Sequence, residues 1–187
     1  MIRYRFIFSK SADCPITSFL KQIEYFRDFF VSNFDLHNGK KTKFSFGPAL
    51  PFGYESECEY VDVLLKNRMK EEEVKTIIDK NIGFGYSLLS FKTIPVHFPS
   101  VESVTDAIEY EIYPEEKIDA DLILKSEYFE KKQILNFTQE KDILRVVLKK
   151  ELSLKTMIEK LMKDVKFKKI VRKKLYWQDL SGVFKII

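Results

Sequence analysis

The sequence predicts an α+β fold in which two βαββαβ units follow one another, each an antiparallel sheet with helices on one face. Three observations carry that expectation. Apolar residues alternate along short segments at the period of a half-buried strand. Between these run stretches with apolar residues three and four apart, the spacing of one helix face. The order of segments in residues 1–94 then recurs in residues 107–187, after a Pro-containing linker over 95–106.

In the first unit, Tyr4, Phe6 and Phe8 alternate with Arg3, Arg5 and Ile7, so residues 2–8 read as a strand. Thr17 or Ser18 can cap a helix carrying Leu20, Ile23, Phe26, Phe29 and Phe30 on one face. Phe44 and Phe46 alternate in a strand over 43–46, a turn-rich stretch follows, and 60–65 reads as a further strand. Asn67 is the expected cap of the second helix, with Glu71, Glu72 and Glu73 at its electropositive end and Val74, Ile77 and Ile78 inward. A strand over 86–93 completes β-α-β-β-α-β, the split pattern of a ferredoxin-like fold. The second unit repeats it. Strands are expected over 107–113, 133–137, 143–148 and 168–177, a helix opening at Pro114, and another after Ser153 with Leu154, Met157, Ile158, Leu161 and Met162. The reading is thus two ferredoxin-like units in tandem.

Composition excludes several classes. The chain of 187 residues is 45% hydrophobic with 17 Phe, ample for a buried core, and its 6 Gly and 6 Pro are too few for a fibrous or disordered chain. No apolar run approaches the ~20 residues of a membrane helix, and Met1 to Phe6 lacks a signal-peptide core, so a cytoplasmic location and no membrane partner are expected. Cys14 and Cys58 form no C-x-x-C and have no neighbouring His pair, which argues against a disulfide framework and a zinc site. Neither a metal nor a cofactor is expected.

Nothing in the sequence is a complete catalytic motif. Gly83-Phe84-Gly85 lacks the third glycine of a phosphate loop and precedes a strand. His37 and His97 sit in loops outside any triad pattern. Glu55, Glu57 and Glu59 would share one strand face, where like charges repel; a solvated edge is expected before a magnesium site. Nucleic-acid binding has more support. From Lys141 onward there are fourteen Lys or Arg against five Asp or Glu, an asymmetry that suits an anionic partner. Arg3 and Arg5 are expected on the outer sheet surface, and Lys168, Lys169, Arg172, Lys173 and Lys174 form a candidate phosphate-tracking strand, with Lys10 and Lys43 as further cations. The Tyr60-Val61-Asp62-Val63 strand departs from the aromatic motif of RNA-recognition sheets.

Several segments together resemble a known family. They are Arg3, Arg5, Phe8, Ser9 and Lys10; Lys43-Phe44-Ser45-Phe46; the turn through Pro51, Gly53, Glu55 and Ser56; Glu59-Tyr60-Val61-Asp62; residues 95–103; Ala107 to Glu111; and Arg172 with Leu175 and Tyr176. The chain resembles the radical S-adenosylmethionine-associated domain family of unknown function. The resemblance implies an accessory role in RNA or ribosome modification, with tRNA or rRNA and a radical S-adenosylmethionine protein as partners. Iron–sulfur chemistry needs three cysteines, so it would belong to that partner. The chain departs from the family at Ser18-Phe19-Leu20-Lys21 and Gly39-Lys40-Lys41-Thr42-Lys43, where histidines and an aspartate are replaced. The expectation is a non-catalytic binding module. The alternatives are an enzyme with a site between the halves using Lys10, Lys43, Glu55 and Asp62, or a protein-interaction scaffold.

Overall fold

The computed structural model describes residues 1–163 and 165–187. The fold is mixed α/β, and the chain divides into two compact units, Met1–Val104 and Thr105–Ile187. Among the described residues no helix is long and apolar enough to cross a membrane.

In the first unit the central strand is β1 (Ile2–Lys10). Two further strands, β2 (Ser45–Phe46) and β3 (Glu55–Leu65), lie to one side, and β4 (Tyr86–Ile94) pairs with the other, all antiparallel, in the order β4-β1-β3-β2. Helix α1 (Phe19–Asn33) starts where expected, because the Ser18 hydroxyl accepts the N–H of Lys21 at 3.3 Å. Helix α2 (Glu71–Asn81) begins four residues after the expected cap, Asn67. The intervening residues bend without forming a helix, and the Met69 N–H donates to the Tyr4 hydroxyl of β1 at 3.1 Å. The expected linker is not wholly irregular: α3 (Val101–Val104) buries Val101 and lies against β2.

The core of this unit is aromatic. Period-two alternation turns Tyr4, Phe6 and Phe8 inward, and α1 adds Phe26, Phe29 and Phe30. Phe6, Phe8, Phe26 and Phe30 are fully buried, with Phe6–Phe30 and Phe8–Phe26 centroids 4.9 Å apart. Burial of each ring is worth ~1.5–3 kcal/mol, and each such pair adds ~0.5–1.5 kcal/mol. Gly85 is constrained from both directions: its φ is +96°, and a Cβ there would stand 2.7 Å from that of Cys14.

The second unit has strands β5 (Ala107–Pro114), β6 (Ile134–Glu140), β7 (Ile143–Lys149) and β8 (Phe167–Gln178), antiparallel in the order β8-β5-β7-β6. A short β9 (Phe184–Ile186), which periodicity did not announce, hairpins back onto β8. The expected helix at Pro114 does not form, because Pro114 remains in β5 opposite Phe167. Two single turns replace it, α4 (Asp121–Leu124) and α5 (Glu127–Glu130). Ser126 separates them by capping the second turn, its hydroxyl accepting the Phe129 N–H at 3.3 Å. Helix α6 (Leu154–Leu161) follows the Ser153 cap and buries Leu154 and Met157.

Candidate anion-binding cleft

The alternation that sends Phe6 into the core sends Arg3 and Arg5 to the opposite sheet face. Register sets Arg5 directly across from Asp62 of β3. Asp62 Oδ1 accepts the Arg5 Nε–H at 2.8 Å, and Oδ2 accepts from Arg5 Nη2 at 2.9 Å and Arg3 Nη2 at 2.8 Å. The Asp62 and Arg5 side chains are only 1% and 2% exposed. Such ions persist out of water only when paired and hydrogen-bonded. Two guanidiniums around one carboxylate leave positive charge uncompensated. Backbone carbonyls meet part of it: Arg3 Nη1 donates to Val96 O at 3.1 Å and to Phe98 O, and Arg5 Nη2 donates to Pro99 O at 3.5 Å. The Arg5 guanidinium also lies 5.8 Å from the Phe98 ring centre. Residues 95–100 thus strap the sheet face and cover Arg5, which was expected on the surface.

Beside this network opens a cleft of about 300 Å³ lined by Arg3, Lys43, Phe44, Ser45, Asp62 and Phe98. Lys43 is exposed, and among the described residues no carboxylate pairs with it. The Ser45 hydroxyl is buried with no hydrogen-bond partner among the described residues. An ammonium and an unused hydroxyl therefore line the same hollow as a guanidinium the protein holds still. That set suits an oxyanion such as phosphate. It does not suit a cation, since both Asp62 oxygens already accept N–H bonds. Among the described residues no group of three or more His, Cys, Asp or Glu could hold a metal ion.

The other candidate residues lie elsewhere. Lys10 is buried on the helix side of the sheet with Phe8, in register with Ser56 and Tyr86, so Lys10 and Asp62 occupy opposite faces. Glu55 opens β3 and does not line the cleft. The four residues of the enzyme alternative therefore do not converge within this unit. Near Lys10, Gln22 Nε2 donates to Glu59 Oε2 at 2.7 Å, and both side chains are buried. Burial drives the Tyr86 hydroxyl pKa far above the ordinary phenol range, with Cys14 and Glu59 adding to the effect. The expected Glu55–Glu57–Glu59 row is broken by a bulge: β1 advances from Phe8 to Lys10 while β3 advances from Glu59 to Ser56. In the turn before β3, Pro51 and Gly53 are exposed and Gly53 has φ +80°. Ser56 is buried, its hydroxyl accepting the Cys58 N–H at 3.1 Å.

The basic strand β8 proves largely compensated. Lys173 Nζ is 3.8 Å from Glu111 Oε2, Lys174 Nζ is 3.7 Å from Glu109 Oε1, and Lys169 Nζ sits 4.7 Å from the Tyr113 ring centre. Arg172 is completely buried, in register with Tyr110. Lys168 is exposed to solvent. Glu111 shows how strong the compensation is. Burial alone would raise its pKa, but hydrogen bonds from Arg145 at 2.8 Å and Tyr113 at 3.0 Å, with the charges of Lys173 and Arg145, hold it below the usual glutamate value. A depressed folded-state pKa stabilises the protein above the unfolded value of 4.5 and ceases to do so as pH falls through the folded one. The stability difference between wild type and Glu111→Gln is therefore expected to be full at neutral pH and to shrink below pH ~4.5. Chemical denaturation across that range checks it; a difference that stays constant with pH would refute it.

Residues 40–180 match the model of a family described as an uncharacterized protein conserved in bacteria (DUF2344). The chain belongs to this family. The DUF2344 match takes in Lys43, Ser45, Asp62 and Phe98 of the cleft and begins after Arg3 and Arg5. The family description assigns no activity, ligand or partner. No curated protein matches the chain.

The sequence pairs Lys43 with Asp62 only in the enzyme alternative and with Arg3 only among the nucleic-acid contacts; the cleft unites all three and adds Ser45 and Phe98, which were not candidates. Only the antiparallel register of β1 on β3 puts Arg5 opposite Asp62. Only the path of residues 95–100 puts Phe98 beside them.

Proposed function

We propose that the chain is a non-catalytic binding module for an RNA-class polyanion, with the cleft of the first unit as a phosphate contact. The observation that carries this reading is a Lys43 ammonium and a Ser45 hydroxyl, both without a partner among the described residues, beside a guanidinium fixed by Asp62 and two backbone carbonyls. The same contacts support a non-catalytic role, because Asp62 is occupied by three N–H bonds and Lys10 lies on the other side of the sheet. The exposed Lys168 extends the cationic surface of the second unit. The narrower elements belong to this proposal too: tRNA or rRNA as the RNA, and a radical S-adenosylmethionine protein as the neighbour it serves, both resting on the resemblance drawn from the motifs. The strand orders β4-β1-β3-β2 and β8-β5-β7-β6 support reading both units as ferredoxin-like.

The test is fluorescence anisotropy of labelled tRNA and rRNA fragments at low and moderate salt. Binding at micromolar protein that weakens with salt is expected, and Lys43→Gln should lower the slope of log affinity against log salt by ~0.7–0.9, the loss of about one phosphate contact. No salt-sensitive binding at micromolar protein would rule the RNA reading out.

A further inference from the structure

The cleft beside Arg3 and Lys43 shares a wall with a second hollow. Phe44 lines both, and beyond it lies a space of about 550 Å³ bounded by Arg27, Asp28, Val31, Ser32 and Lys40. The Arg27 guanidinium lies over the Phe44 ring, 5.5 Å from its centre. Around them the positive charge is unopposed by sequence neighbours: residues 36–54 contain Lys40, Lys41 and Lys43 but no Asp or Glu. The three lysines are exposed, and among the described residues none of them, nor Arg27, makes an ion pair with a carboxylate. This contrasts with β8, where Glu109 and Glu111 face the lysines. Among the described residues Asp28 is the single acid lining the second hollow.

The segment bearing these cations is held in place. Leu36 is buried and bridges to Leu65, and the His37 N–H donates to Leu64 O at 2.9 Å. Thr42 is buried and donates its hydroxyl to His37 O. Asn38 and Gly39, with φ of 62° and 52°, turn the chain into a single 3₁₀ turn over Gly39–Lys41. Lys40 and Lys43 therefore project from an already ordered backbone, and a ligand does not have to order it.

We propose that this edge of the first unit is a track for single-stranded nucleic acid, with successive phosphates in the two hollows and a base stacked on the Arg27–Phe44 pair. The inference rests on the RNA reading above and deepens it by naming the strand state. Two anion-binding hollows parted by one aromatic ring reproduce the alternation of phosphate and base along a flexible strand. Alternating cations and stacking surfaces is how sequence-tolerant single-strand sites are built. A guanidinium plane serves as a stacking surface as a ring does. A duplex keeps its base faces inside the stack and cannot offer one to Arg27.

The experiment uses the full chain and fluorescence anisotropy with a labelled single strand of about ten nucleotides, within the usual single-strand site size, and the same strand annealed to its complement. The single strand is expected to bind at least ~10-fold more tightly than the duplex. Arg27→Gln and Phe44→Leu should each weaken single-strand binding ~5–10-fold, the effect of losing one stacked base. Lys40→Gln should lower the salt slope by ~0.7, one phosphate on a single strand. Circular dichroism checks that Phe44→Leu is folded; if it is not, the surface variants Arg27→Gln and Lys40→Gln carry the test. Equal or tighter duplex binding overturns the track. So does single-strand binding that Lys43→Gln weakens while Arg27→Gln and Lys40→Gln leave it unchanged, an outcome that keeps the RNA reading intact. Absence of binding to either form removes the track and the reading beneath it together.

Discussion

Replacing Asp62 by Ala is expected to destabilise the first unit by about 3–5 kcal/mol, the usual cost of stripping a buried charge of its partner. The side chain is 1% exposed and accepts three N–H bonds from two guanidiniums. Without it, Arg5 remains buried at 2% exposure with only the Pro99 carbonyl at 3.5 Å and flanking rings to meet its charge. Two positive groups would also face each other with no carboxylate between them. The paired change Arg5→Met with Asp62→Leu should recover most of the loss, because well-packed apolar residues often replace a buried ion pair at little cost. Urea denaturation followed by far-ultraviolet circular dichroism measures both. A loss under ~1 kcal/mol for Asp62→Ala would mean the site behaves as an exposed ion pair and not a buried one.

Phe6→Ala carries a comparable effect by a different mechanism. The ring is fully buried and has aromatic neighbours on several sides: Phe30 at 4.9 Å, Phe91 at 5.6 Å, Tyr4 at 5.9 Å and Phe8 at 6.2 Å between centroids. Truncation removes the transfer free energy and leaves a cavity that strand β1, paired on both edges, cannot collapse to fill. The expected loss is about 3–5 kcal/mol. Phe84→Ala is the control, since Phe84 is 71% exposed and should change stability by less than ~0.5 kcal/mol. If the two variants proved equally stable, the aromatic cluster would not be the stabilising core of this unit.

These predictions differ in how far they were legible beforehand. Phe6 is a reading of local pattern: its alternation with Arg5 and Ile7 marks it as inward. The caps at Ser18 and Ser153 and the inward stripe of Phe26, Phe29 and Phe30 are of the same kind. Asp62 is not. It stood among the candidate residues as a bare carboxylate, and its partners come from a strand more than fifty residues away in sequence. The basic segment after Lys141 shows the reverse error. Its Lys and Arg far outnumber its Asp and Glu, but Lys173 and Lys174 lie against Glu111 and Glu109, so an excess along the chain is not an equal excess on the surface.

The amino-acid sequence by itself determined the four main strands of each unit, the helices α1, α2 and α6, and the inward aromatic residues Tyr4, Phe6, Phe8, Phe26, Phe29 and Phe30, because side-chain periodicity is a property of neighbouring residues. The tertiary structure alone decided which face a charged residue occupies once a bulge intervenes. An extra residue at Lys173 in β8 brings Arg172 opposite Tyr110, and the extra residue in β3 between Glu59 and Ser56 separates Glu59 from Glu57. A bulge shifts the phase of alternation by one, and its position depends on the partner strand, not on local sequence. The same holds for the cleft. Arg3, the Lys43–Ser45 segment, Asp62 and Phe98 come from four separate stretches of chain, and only strand register and the path of residues 95–100 place them around one hollow.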